Sequence, residues 1–190
     1  MFKIIILSIF LSVYSAYGYF TLPGKCPENV QLQEEFRLAD FFNKWYQAYH
    51  YSSDGQQQNN CSVIQLETRA TGIYLNQSRV DRGLFHRFFN VTVMHRKYPF
   101  YVLATNYNYY ATVYTCEYSP LIDKHFIYVW ILSRNELLND VSKELAVRSL
   151  SRIGVDANKL VKDDWSKCSP KYYEDRQAEP MTFRYPVIIR

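Results

Sequence analysis

The chain has 190 residues, 48% hydrophobic and 21% charged, with a formal net charge of +4. With 18 Tyr, 12 Phe and 3 Trp against only 6 Gly and 7 Pro, this composition excludes a disordered, collagen-like or Gly-rich chain. No period of about 20 to 50 residues recurs, which excludes a solenoid or propeller.

The N-terminus reads as an export signal. Lys3 precedes an apolar run over 4–13 broken only by Ser8 and Ser12, and the small residues Ala16 and Gly18 flank Tyr17. The expected organisation is a signal peptide at 1–18, one domain at 19–168 and a loosely held tail at 169–190, where Pro170, Pro180 and Pro186 lie among charged residues without a clear period. The apolar run is about half the ~20 residues that span a bilayer, so a secreted, extracellular protein is expected. Cleavage removes Lys3 and no acid, lowering the net charge from +4 to +3. That is too weakly basic for a nucleic-acid partner. The one basic concentration, Arg79, Arg82, Arg87, Arg96 and Lys97, reads as a solvated surface.

Cys26, Cys61, Cys116 and Cys168 follow the leader, and an even count in an oxidising compartment predicts two disulfides. Spacing alone leaves all three pairings open. With no CxxC and four scattered His, no metal site is expected. Export also gives meaning to the sequons at Asn60, Asn76 and Asn90, which predict a glycoprotein.

Aromatic and β-branched runs separated by polar turns predict strands at 45–51, 61–70, 73–80, 85–95, 100–105, 110–118 and 126–132. Seven runs without intervening helices argue for an all-β antiparallel meander, either a sandwich or a barrel. Asn106, Tyr107 and Asn108 form the turn of a hairpin. Next the period changes: Asp140 is placed to cap a helix whose Val141, Leu145, Ala146, Leu150 and Ile153 share a face, with Gly154 as its stop. A short extended run is expected at 159–161.

Particular residues decide between sandwich and barrel. Asn43-Lys44-Trp45 at the first strand, Thr105-Asn106-Tyr107 in the hairpin, Arg134 after the last strand and the cysteine arrangement together resemble the lipocalins, and within them the apolipoprotein D and insect bilin-binding branch, over about Cys26 to Cys168. The family writes the first two motifs G-x-W and T-D-Y; here Asn, which tolerates positive φ, replaces Gly, and a second turn-former replaces Asp. The resemblance implies an up-and-down barrel of about eight strands with one C-terminal helix packed outside. Between Cys61 and Cys116 this chain offers three strands where that branch carries four before the hairpin, so either one middle strand is missing or rudimentary or the hairpins are unusually short.

The resemblance further implies the pairings Cys26 with Cys116 and Cys61 with Cys168, each contributing ~4 to 5 kcal/mol in a chain-entropy account. It implies a structural base in which the Arg134 guanidinium stacks on Trp45. With Cys116 and Cys61 facing out, alternation turns Ala111, Val113, Thr115, Ile64 and Leu66 inward. The parity of Arg134 and Trp45 does the same for Phe126, Tyr128, Trp130 and Leu132 on the last strand and Gln47, Tyr49 and Tyr51 on the first. Phe100, Val102 and Ala104 complete the inner set. This lumen is apolar and aromatic with a few hydroxyls and one amide, as suits a flat or elongated hydrophobic molecule. The implied function is a secreted carrier of a bilin, retinoid, carotenoid, sterol or fatty acid, a bound pigment included. The alternative is a protein-binding or inhibitory module that works through barrel-mouth loops over a filled interior. A cell-surface receptor or membrane surface is the further partner considered. One lipocalin relative is an enzyme that uses a free thiol in the barrel; with all four cysteines paired here, an enzyme is not expected.

Overall fold

The computed structural model describes residues 22–53, 61–70, 72–79, 98–165, 168 and 181–189. Two residues, Leu22–Pro23, form β1, and a single helical turn, α1 at Leu38–Phe41, leads into the sheet. The meander follows as β2 Asn43–Ser52, β3 Ser62–Arg69, β4 Gly72–Arg79, β5 Tyr98–Thr105, β6 Tyr110–Ser119 and β7 Lys124–Ser133. Then come α2 at Asp140–Ser149, the two-residue β8 at Val161–Lys162, and β9 at Met181–Ile189.

Neighbouring strands run β7, β6, β5, β9, β4, β3, β2, and β2 also pairs with β7, so the sheet closes into a barrel. Closure removes the exposed edges that an open sheet would present. Every pairing is antiparallel except β5 with β9. The expected strand at 85–95 lies outside the described residues. The expected loose tail does not hold over 181–189: these residues are a strand of the barrel wall, seated between β4 and β5. Their sequence hides this because Pro186 interrupts the run and no alternation announces a strand that is paired on both sides.

Cys26 is bonded to Cys116 and Cys61 to Cys168, with sequence separations of 90 and 107. The first ties the N-terminal segment to β6; the second ties the segment after β8 to the start of β3.

Helix α2 is capped by Asn139, whose side chain accepts from the Ser142 N–H, and not by Asp140, which is the first helical residue. The helix tightens into a 3-10 turn at Leu150–Ile153 and stops at Gly154, whose φ is +66°. Its buried face is Ser142, Ala146, Ser149, Leu150 and Ile153, whereas Val141 and Leu145 are 70% and 42% exposed. Small residues let the helix lie close on the outside of the barrel: the Thr112 hydroxyl of β6 donates to the Ala146 carbonyl at 3.2 Å. No helix among the described residues is long and apolar enough to cross a membrane.

Two apolar layers result. Inside are Phe41, Trp45, Ile64, Leu66, Leu75, Phe100, Val102, Ala111, Val113, Leu132 and Val187. Outside, under α2 and the N-terminal segment, lie Leu103, Tyr114, Cys116, Ile127, Val129, Leu150 and Ile153 in one cluster and Tyr110, Ile131 and Ala146 in another.

Candidate functional site

The floor of the barrel is built first. Asn43 takes φ +81°, the left-handed conformation that turns the chain out of α1 into β2. This sets Trp45 fully buried, with its Nε1 donating to the Phe41 carbonyl at 2.9 Å and its ring 5.0 Å from that of Phe41. The Arg134 guanidinium lies 3.5 Å from the centre of the Trp45 ring. Its Nε, Nη1 and Nη2 donate to the carbonyls of Tyr107, Lys44 and Asp40 at 2.8, 3.0 and 3.0 Å. Burial lowers this guanidinium to about 10, which leaves it charged at neutral pH. Three elements thus converge on one cation.

The hairpin beside it is held by its own side chains. Asn106 Oδ1 accepts from the backbone N–H of Tyr109 and Tyr110, and Thr105 Oγ1 accepts from Tyr107 N while donating to the Tyr110 carbonyl. Tyr107 sits at φ +64°, its hydroxyl accepting from the Arg37 N–H. The hairpin also forms one wall of a polar groove with Arg37, Asp40, Asn43 and Lys44 on the outside of the closed end.

Above the floor, β6 and β7 make the main wall. Val113 is opposite Trp130, Thr115 opposite Tyr128, and Glu117 opposite Phe126. Trp130 packs against the inner cluster, and its ring lies nearly parallel to that of Tyr128, 14° apart with centroids at 6.5 Å. Phe126, Tyr128 and Trp130 are only half-buried, although they face the barrel interior. Their neighbours His125, Ile127, Val129 and Ile131, on the outer face, are 0 to 7% exposed. A solid core would show the reverse order of burial. Thr115 Oγ1 and Trp130 Nε1 are shielded from solvent and have no hydrogen-bond partner among the described residues.

Ile64, Leu66, Phe100, Val102 and Val113 belong to the inner cluster. Tyr49, Tyr51 and Ala104, expected inside, face out. In β2 the register slips between Gln47 and Tyr49, leaving Ala48 as a bulge. The Ala48 carbonyl accepts the Asp163 N–H, and the Gln47 carbonyl accepts Trp165 Nε1 at 2.8 Å. Beyond the bulge the parity is reversed: Tyr49 and Tyr51 pack in the outer clusters, and His50 lies opposite Trp130. In β5 a second bulge falls at Leu103, whose carbonyl accepts from Arg152, and Ala104 joins the layer beneath α2.

Gln47 is buried but serves a polar knot. The Asp163 carboxylate accepts from Gln47 Nε2, from Cys61 N–H and, at 2.7 Å, from His50 Nδ1. Gln47, His50 and Asp163 are all at most 4% exposed. The knot fills the gap where β3 leaves β2 and β8 takes its place, pairing at Tyr49 and His50. His50 and Asp163 were not expected here. The pairing of residues 113 apart carries no local signal, and the one hint of the bulge is that Ala48 interrupts an aromatic run. Of the sequons, Asn76 lies in β4; Asn60 and Asn90 are outside the described residues.

The family model of the lipocalin / cytosolic fatty-acid binding proteins matches residues 85–167. Insecticyanin-B of Manduca sexta is 24% identical over 90% of this chain and 93% of its own length. Apolipoprotein D of Cavia porcellus is 26% identical over 76% of this chain and 85% of its own, and the bilin-binding protein of Pieris brassicae 24% over 78% and 88%. The chain is similar to the lipocalins in sequence. The solved structure of insecticyanin from the tobacco hornworm covers 80% of this chain and 93% of its own chain, with a TM-score of 0.61 at 24% identity, so the likeness extends to the fold. The two disulfides, the Trp45–Arg134 base and the outer helix are thus set in an established barrel architecture.

Proposed function

We propose that this chain is a lipocalin and a secreted carrier that holds a flat or elongated hydrophobic molecule, such as a bilin, retinoid, carotenoid, sterol or fatty acid, in the barrel lumen. The carrying observation is the inversion of burial on β7, where inward Phe126, Tyr128 and Trp130 are half-buried while outward Ile127, Val129 and Ile131 are fully packed. Apolar rings left partly bare inside a barrel are surface that a ligand removes from water. A bilin is supported by the name of one relative. Ile64, Leu66, Phe100, Val102 and Val113 form the apolar wall, with Thr115 as a polar group on it. Both disulfides close all four cysteines, so no thiolate is present to act as a nucleophile. Export and glycosylation at Asn60, Asn76 and Asn90 belong to the same reading.

The test is an absorption spectrum and organic extraction of protein purified natively from a secreting host, followed by titration with a conjugated fatty acid while Trp fluorescence is read. A co-purifying pigment or lipid, or saturable quenching, is expected. Trp130→Ala should weaken binding by ~1 to 3 kcal/mol through lost apolar contact, while Val129→Ala should leave affinity unchanged. Impaired Val129→Ala with normal Trp130→Ala would sink the reading, because the outer face would then be the binding face.

A further inference from the structure

Strand β9 is held by two unequal seams. Along β4 it runs antiparallel through seven residue pairs, from Ile73 opposite Val187 to Arg79 opposite Met181. Along β5 it runs parallel through three: Tyr98 with Val187, Pro99 with Ile188, and Phe100 with Ile189. Parallel pairing is the weaker kind per residue. Pro186, which carries no N–H, immediately precedes the first pair of this seam and ends it there. The ladder between β5 and β6 begins only at Tyr101 opposite Tyr114. Among the described residues, 98–100 pair with β9 and not with β6, so opening that seam leaves the β5–β6 ladder intact.

The strand also furnishes the interior. Val187 is buried in the inner cluster with Leu75 and Phe100, and Ile189 packs against that cluster. Its point of entry is fixed by a covalent anchor: Cys168 is bonded to Cys61, Ser62 lies opposite Arg79, and Arg79 lies opposite Met181. Two strand spacings, about 10 Å, separate the anchor from the start of β9. Twelve residues separate Cys168 from Met181 in the chain, so the strand enters the wall close to a covalent anchor.

We propose that Met181–Ile189 is a movable stave of the ligand chamber, supplying Val187 and Ile189 to its wall and parting from β5 to open a side passage for an apolar ligand. This rests on the reading of the lumen as a ligand chamber. The experiment uses the full-length, oxidised protein and cis-parinaric acid as probe. Amide exchange at 187–189 should be at least about 100-fold faster than at the centres of β6 and β7, as for an element that opens on its own. Ile188→Pro, which removes the N–H that this register turns toward β5, should speed association and dissociation of the probe together by about tenfold and leave its Kd unchanged, the signature of a gate. Val187→Asp should speed association. Should either variant fail to fold, the exchange measurement still decides. Amides at 187–189 as protected as those of β6 and β7, or probe rates unmoved in folded Ile188→Pro, overturn the stave. Failure of the wild type to bind the probe while those amides exchange rapidly overturns the carrier reading instead.

Discussion

Arg134 shows how much one residue organises at the closed end. Its three donors reach carbonyls from α1, β2 and the β5–β6 hairpin, and its flat face covers the Trp45 ring. Lysine has neither the fork nor the planar face to replace it. Trp45→Ala, which empties a fully buried site, should cost ~3 to 5 kcal/mol. Arg134→Ala should cost about 1 to 2 kcal/mol, because water replaces its donors at the half-exposed rim. Both should leave ligand affinity unchanged, as the pair lies beneath the lumen; denaturant melts with probe titration check this, and a collapse of affinity at unchanged stability would place the base within the site. Tyr114 offers a second test. It is fully buried, its hydroxyl has no partner among the described residues, and burial pushes its phenol up to about 12. Because the folded value lies above the unfolded value of 10, the associated stability is complete below pH 10 and is lost as pH rises from 10 through 12. The loss is about 2 to 3 kcal/mol for a shift of that size. Tyr114→Phe should be at least as stable at pH 7, since it removes an orphaned hydroxyl, and should show a shallower alkaline decline in urea melts at pH 8 and 11.

At the level of elements, each strand of the meander was legible because alternation is a local property. The limits of β6, expected at 110–118 and found at Tyr110–Ser119, follow directly from it. Its phase was not always legible. A bulge adds one residue without leaving a mark in composition, and at Ala48 and Leu103 it exchanges the inner and outer faces for the rest of the strand. That is why Tyr49, Tyr51 and Ala104 lie outside and His50 inside. Both bulges release carbonyls to distant partners, Asp163 and Trp165 in one case and Arg152 in the other, and such partners lie beyond any sequence window. The cap of α2 moved by one residue for a smaller reason: Asn139 and Asp140 are both good caps, and only the extended φ and ψ of Asn139 distinguish them. Asn139→Ala should therefore cost ~1 kcal/mol while Asp140→Ala costs less, measured by thermal melts of the two variants. The reverse order would restore Asp140 as the cap.

For the whole molecule, the two disulfides divide the work of closure. By chain entropy they are nearly equivalent, since their separations are 90 and 107 residues and the cost of a loop grows only slowly with its length. Each pair changed to serine should lower stability by about 4 to 5 kcal/mol in that account, or roughly 10 to 20 °C for a chain of this size. Their surroundings are not equivalent. Cys26–Cys116 fastens the N-terminal segment over Leu103, Tyr114 and Ile127, a layer that α2 also covers. Cys61–Cys168 adjoins the Asp163 knot, packs with Trp165 against Val63, and anchors the approach to β9. Loss of the second bridge should thus perturb the near-ultraviolet signal of Trp165 and quicken amide exchange in β9 at temperatures well below the melt, whereas loss of the first should do neither. Circular dichroism and hydrogen exchange on the two double variants at 25 °C would show it. If Cys26/Cys116→Ser loosened β9 as much as Cys61/Cys168→Ser, the tether would be general to the barrel and the second disulfide would have no special hold on its last strand.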